Sequence, residues 1–311
     1  MRRFLLALAL LALSFPAAPA AGEAPEALPG KLLYETNSLY QYIAVREDEE
    51  KGERYIFNTK RRYMQGGMDV RNPGRLIFEY QRMSFIGLAF LDRTPADALF
   101  VGLGAGSMPM YFAAHWPGAR VDVVEIDPDM LKVAREYFHF REGANMRVHL
   151  RDGRVFIKRT REKYDAVFLD AYKNDYIPFH LTTREFLAEV KNKLRPGGVV
   201  VANVTAPFLN KLFWSMIKTY AEVFPHLYVF RSQHSNNYVF VAALEGARVS
   251  EEAVARRAVE IGKAHGLDYD LGRAGWTYAH HSDLMDPAAK VLTDDFAPVN
   301  LYRFMKEERR R

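Results

Sequence analysis

The 311-residue sequence predicts an α/β fold, a mostly parallel seven-stranded sheet preceded by a small antiparallel β unit, and three observations carry that prediction. First, Ala98 to Asp127 reads as an apolar run ending in glycines, a helically spaced stretch, and a second apolar run ending in acids. That is a strand–turn–helix–strand unit. Second, short apolar runs and helical stretches go on alternating behind it, as parallel strands joined by crossovers require. Third, the residues in front of it differ in kind: LLYET, LYQYIAVRE and RYIFNT are short, aromatic and β-branched, and polar clusters such as Glu47 to Gly52 part them.

In chain order, Arg2-Arg3, an apolar run from Phe4 to Phe15 and small residues around Ala18-Pro19-Ala20 have the pattern of an export signal over residues 1–21. The run of about a dozen apolar residues is shorter than the roughly 20 that span a bilayer. Cleavage after Ala20 or Ala21 is therefore expected, giving an exported chain, with an uncleaved N-terminal anchor as the alternative. A Pro/Ala/Glu-rich lead-in (22–31) precedes the β unit (32–71). Asn72-Pro73-Gly74 then opens the larger unit (72–311) with a helix expected over Arg75 to Leu91, where Leu76, Ile77, Tyr80, Met83, Ile86, Gly87 and Phe90 recur at helical spacing.

The opening unit consists of strand Ala98 to Gly104, helix Ser107 to Trp116 and strand Ala119 to Asp127. Helix Met130 to Phe138, strands Arg147 to Leu150 and Tyr164 to Asp170, and helix Thr183 to Leu194 follow, the last closed by Arg195-Pro196-Gly197-Gly198. Val199 to Val204 is a buried strand, Phe208 to Phe224 a helix, and His226 to Phe230 and Tyr238 to Ala243 the final strands. Gln233 to Asn237 between them is too short for a helical crossover, so the sheet should end in an antiparallel hairpin. Glu251 to His265 is an amphipathic helix and Leu292 to Leu301 an extended closing segment.

Composition narrows the function. Hydrophobic residues at 49% and charged residues at 26% are ordinary for a globular chain, and the absence of cysteine excludes disulfides and lipid-modified cysteine. Of the net charge of +5, Arg2, Arg3 and the tail Lys306 to Arg311 account for all but about +1. With no basic stripe interleaved by aromatics, no nucleic-acid partner is expected. His280-His281-x-Asp283 lies in a polar stretch with no second cluster at ligand spacing, so no metal is expected either.

Gly102, Gly104 and Gly106 allow a sharp turn and close approach of a ligand. Glu125, at the tip of the next strand, is placed to accept from the two hydroxyls of a ribose. The third glycine comes one residue earlier than in G-x-G-x-x-G and Pro109 falls where the helix begins, which favours S-adenosyl chemistry over a dinucleotide. Acids continue at successive strand ends: Asp152-Gly153, placed to meet an adenine amino group, and Asp170, placed at the reacting end. Asp170 alternatively caps a turn.

These residues resemble the spermidine synthase (polyamine aminopropyltransferase) family, and most closely its spermidine-synthase-like branch often found fused to transporter segments. The likeness covers about Tyr34 to Tyr302 and rests on Tyr40-Gln41, Gly102 to Gly106, Val124-Glu125-Ile126-Asp127, Asp152-Gly153 and Tyr164 to Asp170; Asp170 to Phe186 and Leu292 to Pro298 point to the branch. It implies a Rossmann-like S-adenosylmethionine-dependent transferase fold and a homodimer. By this likeness Gln41, the glycines, Glu125, Asp127, Asp152 and Gly153 hold the nucleoside of decarboxylated S-adenosylmethionine. Asp170 is then the base that orients and deprotonates an acceptor amine, whose reference pKa is near 10.4. Tyr80, Tyr172, Asp175, Tyr176 and His180 become substrate residues, the ring faces of Tyr172 and Tyr176 suiting a diamine cation; His180 alternatively caps the following helix, and Asp294-Asp295 either closes over the pocket or makes a turn.

Three positions depart from the family. Ala105 stands where the synthases carry an acid in the glycine loop, Lys173 where a second acid follows the catalytic one, and Tyr80-Gln81-Arg82 where they carry Tyr-His-Glu. Lost negative charge argues against ordinary putrescine binding, unless Glu79 and Asp175 compensate. Three readings therefore stand: an aminopropyltransferase with altered acceptor preference, a methyltransferase using S-adenosylmethionine with Arg82 or Lys173 on its carboxylate, and a non-catalytic exported module that binds nucleoside or polyamine.

Overall fold

The computed structural model describes residues 28–58, 64–173, 176–244, 248–273, 276–284 and 286–296. The expected export signal, Asp175 and the chain after Phe296 lie outside them. Strands β1 (Lys31–Asn37), β2 (Tyr42–Asp48), β3 (Glu53–Phe57) and β4 (Met64–Asp69) form an antiparallel sheet in that order. β4 was not expected, because Gly66 and Gly67 are poor strand formers. The glycines are there for lack of room: a Cβ on Gly66 would lie 2.9 Å from the Ala105 nitrogen, and one on Gly67 2.7 Å from Ile77 Cδ1. The sheet's buried face, Ile43, Val45, Ile56 and Met68, packs on Ala105, Met130, Val133 and Phe138.

The helix expected over Arg75 to Leu91 is shorter and tighter. It begins as α1 (Glu79–Ser84) and continues as 3-10 turns over Phe85–Phe90. Every residue from Phe85 to Ala89 is buried, and a Cβ on Gly87 would meet Val201 Cγ2 at 2.2 Å. Contact that close with the central sheet leaves no space for an amphipathic helix with a wet face.

The large sheet is Rossmann-like. β5 (Asp97–Val101), β6 (Arg120–Glu125), β7 (Met146–Leu150), β8 (Tyr164–Leu169) and β9 (Leu194–Thr205) run parallel in the order β9-β8-β5-β6-β7. The expected hairpin, β10 (His226–Ser232) with β11 (Asn237–Ala243), joins antiparallel beside β9. The sheet has eight strands rather than seven, because β12 (Trp276–His280) pairs with β10. His280 therefore belongs to a strand, not a polar loop; burial and the neighbouring His281 hold its imidazole down at about 4.

Helices α2 (Ser107–His115), α3 (Pro128–Tyr137) and α7 (Glu251–His265) cover one face together with α1. α4 (Gly153–Arg159), α5 (Arg184–Lys191) and α6 (Phe213–Val223) cover the other. At the amino end of β8, Asp165 is fully buried and accepts from Arg93 Nη2 (2.7 Å), Arg195 Nη1 (2.9 Å) and the Ala96 and Asp97 amides (2.8 and 3.0 Å). This knot fastens the end of the sheet opposite the cleft.

Candidate active site

The carboxyl ends of β5, β6, β8 and β9 open on a cleft of about 1230 Å³, walled on one side by β2 and β4 and on the other by α1 and the β10–β11 turn. Parallel order reverses between β5 and β8, the place where such sheets bind ligands.

The three expected loop glycines all have positive φ, yet they do different work. Gly102 (φ 104°) lets the end of β5 close on β8, since a Cβ would sit 2.4 Å from the Asp170 carbonyl. Gly104 (φ 54°) has no neighbour to a Cβ closer than the Gln65 carbonyl at 3.4 Å, so its missing side chain leaves space in the cleft. Gly106 is a correction: it is not a cleft residue, because it starts α2 over the ring of Phe140, which a Cβ would strike at 2.3 Å.

Glu125 lines the cleft, and its carboxylate braces the glycine turn. Oε2 accepts from the Leu103 amide (3.1 Å) and Oε1 from the Ile126 and Asp127 amides (2.7 and 2.9 Å). Burial pushes the carboxyl up, against the pull of those amides. Each oxygen has two lone pairs, so the group can still accept from a ribose. Asp127 is the second correction. It is fully buried, caps α3 through the Asp129 amide (3.0 Å) and accepts from Ser38 Oγ (2.5 Å), which leaves it outside the cleft. The Asp-Pro pair at a helix start was the sequence signal for that role. Gln41 faces the cleft and accepts from Asn58 Nδ2 at 3.4 Å.

Asp152 lines the cleft while capping α4, a helix missed because its seven residues are too few to show a period. Oδ1 accepts from the Val155 amide (2.9 Å) and Oδ2 lies 3.0 Å from His180 Nε2. His180 thus joins the Asp152 end of the cleft, and the cap of α5 is Thr183. Gly153 is packed on Val101, where a Cβ would come within 2.6 Å of Cγ1. Asp294 does not close over the pocket: Arg154 binds both its oxygens (2.8 and 2.7 Å) and Thr183 Oγ1 donates to it (2.7 Å).

Asp170 stands at the other end. Asn203 Nδ2 donates to its carboxylate at 2.9 Å and the Tyr80 hydroxyl is a further hydrogen-bond partner, but burial dominates and lifts the carboxyl to about 6. Sequence reasoning missed Asn203; the signal was an amide in the otherwise apolar run VVVANVT. Its Oδ1 accepts from Asn237 Nδ2 (2.9 Å), so Asn237 is more than a turn residue. Tyr172 and Tyr176 line the same end, the Tyr172 hydroxyl donating to the Asn203 carbonyl (3.0 Å). Lys173 is exposed at the rim, whereas Arg82 is turned away and donates to the Leu76 carbonyl (2.7 Å), which removes it as a carboxylate partner.

Residues 78–243 match the family model described as the spermine/spermidine synthase domain. A polyamine aminopropyltransferase of Vibrio vulnificus is 36% identical over 284 residues, which cover 88% of this chain and 91% of that protein. The solved structure of human methyltransferase-like protein 13 in complex with SAH has TM-score 0.56 and 29% identity, covering 62% of this chain and 94% of that one. A probable spermidine synthase from Corynebacterium glutamicum has TM-score 0.67 over 86% of this chain and 98% of its own, at 21% identity, a likeness of fold.

Proposed function

The chain belongs to the spermine/spermidine synthase family of transferases, and from that premise we propose that it moves an aminopropyl group from decarboxylated S-adenosylmethionine to a small amine. One observation carries the reading: a carboxyl lifted to about 6, Asp170, sits at one end of the cleft that Glu125 and Asp152 line at the other.

The donor supplies a sulfonium that makes the neighbouring carbon electrophilic. Gln41, Glu125 and Asp152 grip its nucleoside and leave that carbon facing Asp170. The acceptor arrives as an ammonium, which the ionised Asp170 orients. Asp170 takes one ammonium proton and so frees the nitrogen's lone pair; as that pair forms the new C–N bond, the C–S bond breaks and its electron pair stays on sulfur, giving methylthioadenosine and a protonated secondary amine. A base near 6 is ionised at neutral pH yet basic enough to take that proton for transfer to water. Tyr80 and Asn203 keep the carboxylate aimed.

A methyltransferase is the second reading, favoured by Ala105 in the glycine loop and by the likeness to the SAH-bound human protein. Calorimetric titration with decarboxylated S-adenosylmethionine, S-adenosylmethionine and methylthioadenosine separates the two, since preference for the carboxylated donor excludes the first. Asp170→Asn is expected to keep nucleoside binding and to lose about 10²- to 10⁴-fold in turnover; unchanged turnover removes it from the mechanism. Among the described residues no helix is long and apolar enough to cross a membrane. We further propose export by the N-terminal signal and a homodimer, on the sequence pattern and the family likeness respectively.

A further inference from the structure

We infer that Asn237 is a positioning residue for Asp170, acting through Asn203, whose side-chain amide it holds with the nitrogen towards the carboxylate and the oxygen away from it. The catalytic consequence rests on the aminopropyl-transfer reading above; the geometry does not. Three neighbouring strands set it up. Asp170 stands one step beyond the Leu169–Ala202 pair that ends the β8–β9 ladder, beside Asn203 on β9. On the far side of β9, Val239 pairs with Asn203 and Asn237 with Thr205, so Asn203 and Asn237 are diagonal neighbours on one face of the sheet. The contacts run in series: Asn237 Nδ2 donates to Asn203 Oδ1 (2.9 Å), and Asn203 Nδ2 donates to Asp170 Oδ1 (2.9 Å). All three residues line the cleft.

The series has a direction. An ionised carboxylate only accepts, so it takes the donor end of the Asn203 amide. That leaves the amide oxygen, and Asn237 Nδ2 is its donor. The two ends of a primary amide have nearly the same shape, so packing does not choose between them; hydrogen-bond partners do. Turned over, Asn203 would set its oxygen against Asp170, where only a protonated carboxyl could donate to it. Asn237 therefore favours the ionised base, because a hydrogen bond to the charged form lowers a carboxyl's pKa and its loss raises it. The strand ends are held without this side chain. The Ala206 amide donates to the Asn236 carbonyl (2.8 Å), the Thr205 amide to the Tyr172 hydroxyl (3.2 Å), and the β9–β11 ladder runs on to Ala243.

The test is a carbon-13 titration of the side-chain carboxyls in the full chain without substrate, Asp170 being assigned by the signal missing from Asp170→Asn. Asn237→Leu keeps the volume and removes the donor, and the Asp170 midpoint is expected to rise by about half a unit to one unit. The rising limb of kcat/KM should move up with it, so that a loss of about twofold at pH 7 disappears by about pH 9 while donor affinity is unchanged. A side chain that only braces the strand end would lower the melting temperature and leave the midpoint in place, which overturns the inference. Should Asn237→Leu not fold, Asn237→Asp decides: an ionised carboxyl there accepts and cannot donate, so the midpoint should rise again, and an unmoved one overturns the inference. Wild-type protein that binds the donor and transfers nothing to any amine overturns the transfer reading, while the titration, which needs no turnover, still decides on Asn237.

Discussion

Replacing Asp170 by Asn removes a charge from a place where the fold holds it at a cost, and the effect is measurable with no substrate present. Burial moves the carboxyl from 3.8 to about 6 against the pull of Asn203 and Tyr80. At 1.36 kcal/mol for each unit of pKa, the ionised carboxylate costs the folded chain about 3 kcal/mol. Because the folded carboxyl is the more basic one, the folded chain keeps its proton longer than the unfolded chain. Wild-type stability from this group is thus fully present below about pH 4 and is lost as pH rises through about 6. Asparagine keeps an acceptor for Asn203 and has no such titration. In a chain of this size 1 kcal/mol moves the melting midpoint by roughly 2 °C, so Asp170→Asn is expected to melt roughly 6 °C above the wild type at pH 8 and to converge on it near pH 4. Scanning calorimetry of both proteins across that range is the assay. Equal midpoints at pH 8, or a lower one for the variant, would refute the claim that this carboxylate is desolvated.

Three further outcomes follow from other parts of the structure. The kcat/KM profile should rise through about pH 6 as Asp170 loses its proton, and that limb should be missing from the residual activity of Asp170→Asn, as stopped assays over a pH series would record. Asp165→Ala strips two amides and two arginines of their shared acceptor and should cost about 3 kcal/mol, seen as a lower urea midpoint with an unchanged slope. Gly87→Ala places a methyl 2.2 Å from Val201 and should cost about 1–3 kcal/mol by the same titration.

Where the sequence could be read, it was because period and end signals agreed. Strands β5, β6 and β8 are short apolar runs, and α7 has Ser250 as its cap and Gly266 as its stop, so its bounds, Glu251–His265, came out as expected. β4 failed because its glycines answer to the tertiary contact with Ala105 and Ile77, which no local window contains. The segment after α1 failed for the same kind of reason, a helical period overruled by Gly87 against Val201. In the site, acids at strand ends identified Glu125, Asp152 and Asp170 as cleft residues. They could not tell a cleft-facing carboxylate from Asp127, two positions past a strand tip and spent on a cap. Asn203 was harder, since it matters through a partner far away in sequence, Asp170, 33 residues earlier.

The clamp between Arg154 and Asp294 bears on how the protein is made. Asp294 also receives Thr183, Leu292 is buried in the core and its carbonyl accepts from the Arg184 amide at 2.8 Å, so α4 and α5 are both fastened by one late stretch of chain. On the ribosome that stretch emerges after the glycine turn and after every strand of the large sheet among the described residues. Until it does, the helix that Asp152 caps lacks its outer fastening.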